Sequence, residues 1–181
     1  FLSGLFNAGF LPASLDPRGI DYTHLPFDQQ FNNYKVRGLE IDILNDPTGG
    51  RFYNRQGVTL SGGGSAASGI PELQEPGFKV IHIPDFDFLT HYVTFKQSLS
   101  AVLDWSNSHP NHLPIFINVE TKNDAPGNTL TGLGLATSIP FDASACDNMD
   151  VEIKSVFGDN LDKVITPDDV RGTYSTLEEA T

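Results

Sequence analysis

The feature that most constrains this chain is a set of three short apolar runs, each carrying a charged or imidazole side chain. They span 36–44 (VRGLEIDIL), 78–84 (FKVIHIP) and 113–120 (LPIFINVE). Their β-branched and aromatic residues predict strands, and the nearly continuous apolar character of the third is typical of a parallel strand buried on both faces. Apolar residues at helical spacing predict a helix over 94–108. The order of these elements predicts an α/β domain built on a parallel sheet.

The remaining segments are expected to surround this framework within one domain, 1–181. Residues 1–23 are rich in turn formers and predict an irregular lead-in, and residues 57–77 form a Gly- and Ser-rich excursion. A helix is expected over 142–157, with Cys146 among its inward-facing residues. A linker between separate domains is the alternative interpretation of the excursion.

Composition and charge narrow the class of function. A content of 39% hydrophobic and 19% charged residues describes a folded globular protein. The formal net charge of -12 repels phosphate backbones and argues against a nucleic-acid partner. The single cysteine allows neither an internal disulfide nor a cysteine zinc cluster. Residues 1–10 have no basic segment and match a signal peptide poorly, and no run reaches the roughly 20 apolar residues of a membrane span.

Polar side chains with metal-binding chemistry lie on the three predicted strands. Glu40 and Asp42 are two residues apart, so strand alternation places both carboxylates on the same side. His82 lies near the end of the second strand and Glu120 ends the third. A parallel sheet would bring these groups together, and such oxygen-rich sites favour Ca²⁺, with Mg²⁺ as the alternative, over zinc or copper.

Charged groups at the carboxyl ends of buried strands are typical of a TIM-type (β/α) barrel. A closed barrel of this type typically needs about 250 residues, whereas this chain has 181 and only three convincing strands. We therefore expect a partial barrel, which needs the remainder of the barrel for completion.

Five strings in this order resemble the calcium-dependent, phosphoinositide-specific phospholipase C family, from about Asp21 to the last residues. They are YTHLPFDQQ, VRGLEIDILNDPTGG, PGFKVIHIPDFDF, DWSNSHPNHLPIFINVETK and VITPDDVRG. The resemblance implies the N-terminal part of a PLC-like phosphodiesterase barrel. It also implies calcium-dependent cleavage of phosphatidylinositol-type lipids to diacylglycerol and an inositol phosphate, on a transiently contacted membrane surface, by a secreted enzyme.

The resemblance also assigns roles to individual residues. It implies that Glu40, Asp42 and Glu120 bind calcium, that His82 and Glu120 are catalytic, and that acid/base chemistry cleaves the phosphodiester. Lys122 could face the same site by alternation and contact the substrate phosphate. Asp85 and Asp87, just after the second strand, are expected to make turn contacts or hydrogen bonds that support the site.

One departure from the family pattern leaves the catalytic machinery open. The family's other catalytic histidine belongs to a His-Asn pair on an earlier strand, and no His-Asn pair occurs in this sequence. His24 is followed by Leu25 and aligns with a different histidine of the family. Either the first strand is missing from this sequence, or the protein is not catalytic as it stands. Two alternatives stand beside the phospholipase: a glycerophosphodiester phosphodiesterase or sphingomyelinase-like enzyme, and a non-catalytic module that binds calcium or inositol phosphate.

Overall fold

A computed structural model describes residues 16–180, together with residues 3 and 7. The described part is a mixed α/β structure around an open three-stranded sheet with the order β2-β1-β3. The strands are β1 (Gly38–Leu44), β2 (Lys79–Val80) and β3 (Phe116–Thr121). The mixed α/β class is confirmed, and the TIM-type partial barrel stays a prediction. Most of the predicted lead-in lies outside the described residues, which begin there with a 3₁₀ helix, Pro17–Ile20.

Strand alternation divides the sheet into an apolar face and a polar face. Leu39, Ile41 and Ile43 of β1 are buried, and the intervening Glu40 and Asp42 lie on the opposite face. β3 runs parallel to β1, with Glu40 opposite Asn118 and Asp42 opposite Glu120. The two strands therefore present carboxylates on one shared face.

The expectation that the third strand is buried on both faces is wrong. β3 is the edge strand of the described sheet, and the side chain of Phe116 on its polar face is 72% exposed. Ile117 and Val119, on the other face, pack against the core. The sequence suggested burial because residues 113–119 are nearly all apolar, but Asn118 and Glu120 lie on the same face of the strand as Phe116, and only the opposite face packs against the core.

The expected parallel direction of the second strand is also wrong. β2 has two residues and pairs antiparallel with the end of β1, Ile43 opposite Val80. The chain leaves β1 through a turn and returns beside it, where Gly77 N–H donates to the Asp46 carbonyl at 2.9 Å. Gly77 has a φ of +124°, and a Cβ there would lie 2.5 Å from Glu152 Oε1, so glycine is required at this return.

Helices make up much of the rest of the described chain. They are α1 (Phe27–Asn33), α2 (Gln56–Leu60), α3 (Phe95–Ser108), α4 (Pro126–Thr129), α5 (Ala143–Phe157), α6 (Pro167–Arg171) and α7 (Leu177–Ala180), with further 3₁₀ turns at Pro71–Leu73 and Gly158–Lys163. α3 confirms the helix predicted over 94–108, and Thr94 and Gln97 close its first turn as a capping box. No described helix is long and apolar enough to cross a membrane.

The core lies between the sheet and the two longest helices. Ile41 and Ile43 pack with Phe78, Phe95 and Leu99, and the partly buried side chains of α5 complete this cluster. A second cluster joins α1 to α3 through Phe31, Leu39, Val102 and Trp105. This packing fixes the apolar face and leaves the polar face open.

Two sequence expectations about the packing differ from the structure. Cys146 is exposed on α5 rather than inward-facing, and Ala145 and Glu152 take the buried positions of that helix. The excursion over 57–77 is partly anchored, because Leu73 is buried against Phe52 and Ile81. The helical period predicted for α5 is otherwise confirmed, because Met149, Ile153, Val156 and Phe157 pack against the core.

Candidate metal and catalytic site

Three carboxylates converge on the polar face of the sheet. Glu40 and Asp42 come from β1 and Glu120 from β3, and one oxygen from each lies within 4.8 Å of the others. The parallel register brings them together, because it places Asp42 directly opposite Glu120. We call Glu40, Asp42 and Glu120 the acidic cluster.

Lys122 lies against this cluster. Its Nζ is 2.9 Å from Glu120 Oε1 and 3.5 Å from Asp42 Oδ2. Its backbone N–H donates to the Ile43 carbonyl at 2.9 Å, which holds the start of the side chain at the end of β1. Burial lowers the pKa of Lys122, but the hydrogen bonds and charges of Glu120 and Asp42 outweigh burial and raise this pKa. The ammonium group is therefore kept charged.

The paired carboxylates have different affinities for protons. Burial, followed by the contact with Glu120, raises the pKa of Asp42 despite the nearby charge of Lys122. The hydrogen bond from Lys122 lowers the pKa of Glu120. Two carboxylates in contact cannot both ionise freely without a cation, so the geometry favours a cation beside Asp42 and Glu120.

His82 lies in the bend after β2 and is oriented by a carboxylate. Its Nδ1 is 2.7 Å from Asp87 Oδ2, and the Tyr22 hydroxyl is 3.3 Å from the same nitrogen. Because a carboxylate only accepts, this contact requires a proton on Nδ1. Among the described residues none forms a hydrogen bond with Nε2, which is therefore available for proton transfer. His82 is also close enough to Asp42 to lower the pKa of that carboxyl electrostatically, against the larger effect of burial.

The turn that carries Asp87 is fixed by Asp85. Asp85 has a φ of +69°, and its carboxylate accepts the N–H of Gln56 at 2.6 Å and the N–H of Ala136 at 2.7 Å. Ile83 and Asp87 pair across this turn. Asp85 therefore ties three loop segments together, and Asp87 is held against His82. The turn contacts expected for the two aspartates are confirmed, and their support of a metal site stays a prediction.

Tyr22 is the member of this site that the sequence did not single out. Partial burial, and then the carboxylates of Asp87 and Asp42, raise the pKa of its phenol. The string YTHLP contains Tyr22, but an exposed tyrosine before a helix gives no signal of its own. His24 follows it and lies outside the hydrogen bonds of His82: its ring contacts Tyr22, and its carbonyl faces His91 Nε2.

The acidic cluster fits a hard divalent cation. Its donors are all carboxylate oxygens, and Glu40 and Glu120 are accessible on the open face. Among the residues that the structure describes, Lys122 is the ammonium group that contacts the cluster, and its one charge balances only part of the charge of three carboxylates. Calcium and magnesium prefer oxygen donors of this kind and complete their coordination with water or substrate.

One of three comparisons with known proteins gave a match. A search of curated proteins and a search of solved structures gave no match. A family model described as phosphoinositide phospholipase C, Ca²⁺-dependent, matches residues 10–181, which is most of the chain. The protein therefore belongs to the Ca²⁺-dependent phosphoinositide phospholipase C family.

Proposed function

We propose that this chain supplies the calcium-binding and acid/base residues of a phosphodiesterase that cleaves phosphatidylinositol-type lipids. The observation that carries the proposal is the convergence of three carboxylates on one face of the sheet, with a histidine oriented by Asp87 and close enough to Asp42 to affect its pKa. The family match gives the reaction class. The products would be diacylglycerol and an inositol phosphate.

In this proposal the acidic cluster of Glu40, Asp42 and Glu120 holds calcium, with magnesium as the alternative ion. A bound divalent cation would lower the pKa of an attacking hydroxyl and neutralise charge on the phosphoryl oxygens. Glu120 also contacts Lys122, so it links the cation site to a group that can bind phosphate. A chain with a net charge of -12 would otherwise repel an anionic lipid surface.

His82 is the proposed acid/base group. Asp87 keeps the proton on Nδ1, so Nε2 can accept a proton and return it to the leaving group. Tyr22 adds a second polar contact to the same Nδ1. The chemistry would take place at a transiently contacted membrane surface, in a secreted enzyme whose barrel includes strands beyond the three described here.

A second candidate is a non-catalytic module that binds calcium and inositol phosphate. One observation favours it: the sequence has no His-Asn pair, the motif expected for the family's second catalytic histidine. The acidic cluster would then remain useful for binding without the complete acid/base pair. A glycerophosphodiesterase-like reaction would differ in the leaving group that it releases.

The test measures soluble inositol phosphate released from phosphatidylinositol micelles, with calcium and with a chelator. We expect calcium-dependent release that is lost in His82→Ala and Glu40→Gln. His109→Ala is the matched control, because His109 caps the far end of α3 and its ring stacks on Trp105.

Calcium binding is measured in parallel by calorimetry. His82→Ala should bind calcium as the parent chain does, whereas Glu40→Gln should bind it more weakly. Binding with no release by the parent chain would overturn the enzyme proposal and favour the binding module. Release that persists in the chelator would overturn the role of the cation.

A further inference from the structure

The position of Lys122 conflicts with that of a cation in the acidic cluster. Its Nζ already contacts Glu120 Oε1 at 2.9 Å and Asp42 Oδ2 at 3.5 Å. A calcium ion takes carboxylate oxygens at about 2.3–2.6 Å, so an ion on the same Glu120 oxygen would lie within roughly 5–6 Å of the ammonium group. Like charges at this separation, partly shielded from water, repel each other.

Lys122 is anchored in a way that permits its head group to move. The backbone is fixed by the hydrogen bond from Lys122 N–H to the Ile43 carbonyl. The side chain is largely covered, but 17% of its surface is exposed beside Glu120, whose side chain is 46% exposed. A lysine stem is a flexible chain of four carbons, so rotation about its own bonds can move the ammonium group towards this exposed side. The head group can therefore leave the carboxylates while the strand stays in place.

We infer that Lys122 and a divalent cation compete for Glu120 and Asp42, and that cation binding releases the ammonium group to the phosphate of the substrate. This inference rests on the proposed function of the acidic cluster. Lys122 is then a substrate-positioning residue whose availability depends on the cation. The cation and the phosphate group therefore bind in order, with the cation first.

Calorimetry on the full chain tests the competition. Calcium is titrated into the parent protein, Lys122→Met and the control Lys154→Met, which removes the same charge from an exposed ion pair with Asp150. Loss of one charged hydrogen-bonding competitor should tighten calcium binding about 10-fold in Lys122→Met. Lys154→Met should match the parent protein.

Inositol 1-phosphate is then titrated into each calcium-loaded protein. Lys122→Met should bind it about 10-fold more weakly than the parent protein, although it binds calcium more tightly. Unchanged or weaker calcium binding by Lys122→Met would overturn the competition. Tighter calcium binding with unchanged inositol phosphate affinity would overturn the release to phosphate. If none of the three proteins binds calcium, the proposed function is overturned together with this inference, and this result differs from each of the two outcomes above.

Discussion

Replacement of Glu152 by glutamine should raise the free energy of unfolding relative to the parent protein, and this gain should be larger at neutral pH than in acid. Glu152 is only 8% exposed. Its Oε1 accepts the N–H of Phe78 at 3.0 Å, but its buried Oε2 has no hydrogen-bond partner within the described part of the chain. Burial raises the pKa of this carboxyl against the opposing effects of the Phe78 N–H, Lys96 and Lys79.

The sign of the effect follows from this raised pKa. The stabilising contribution of Glu152 is complete below the ordinary glutamate pKa, about 4.3, and is lost as the pH rises through the higher value in the folded protein. Glutamine is neutral throughout and can still accept the N–H of Phe78. The glutamine amide at the position of Oε2 is also unpaired, but it stays neutral, whereas the carboxylate becomes a buried, unpaired charge as the pH rises. Because an unsatisfied buried group costs about 1–3 kcal/mol, and more when it is charged, Glu152→Gln should gain about 1–3 kcal/mol relative to the parent protein between pH 4 and pH 7.5.

Urea unfolding followed by fluorescence measures this difference at the two pH values. Trp105 is the single tryptophan and is 6% exposed, so its emission reports the loss of the core. Asp150→Asn is the matched control, because Asp150 lies on the same helix with its side chain 68% exposed. A stability difference between Glu152→Gln and the parent protein that does not change with pH would refute the reasoning.

Two further substitutions test the framework of the site, both by urea unfolding. Asp85→Ala removes the acceptor of two N–H groups, from Gln56 and Ala136, and should cost about 2–4 kcal/mol. Asp85→Asn should cost less, since asparagine tolerates the positive φ and keeps one acceptor oxygen; equal costs would contradict the hydrogen-bond argument. Phe31→Ala empties a fully buried position against Trp105 and should cost about 3–5 kcal/mol. A loss below about 0.5 kcal/mol, as at surface sites, would contradict the assigned core.

Local sequence patterns predicted the parts of the fold that depend on neighbours in the chain. Alternation placed Glu40 and Asp42 on one side of β1, and the structure has them there. The apolar period predicted a helix over 94–108, and α3 spans Phe95–Ser108. In each case the deciding contacts lie within a few residues.

Features that depend on long-range packing could not be predicted from the sequence. The direction of β2 depends on how the excursion returns to β1, which involves the contact of Gly77 with Asp46. The exposure of Phe116 depends on which strand lies at the edge of the sheet. The burial of Glu152 depends on the depth at which α5 meets Phe78. Hydrophobicity alone cannot distinguish these arrangements, because each satisfies the same local pattern.

The candidate site does not depend on the direction of β2, because two separate parts of the fold position its residues. The acidic cluster requires only the alternation of β1 and its parallel register with β3. His82 is held instead by the turn after β2, through its contact with Asp87. A one-residue slip of β3 would move Glu120 to the opposite face and destroy the cluster, but it would leave the contact between His82 and Asp87 intact. Cation binding and proton transfer therefore rest on separate parts of the fold, so substitutions in one part can be interpreted without assuming collapse of the other.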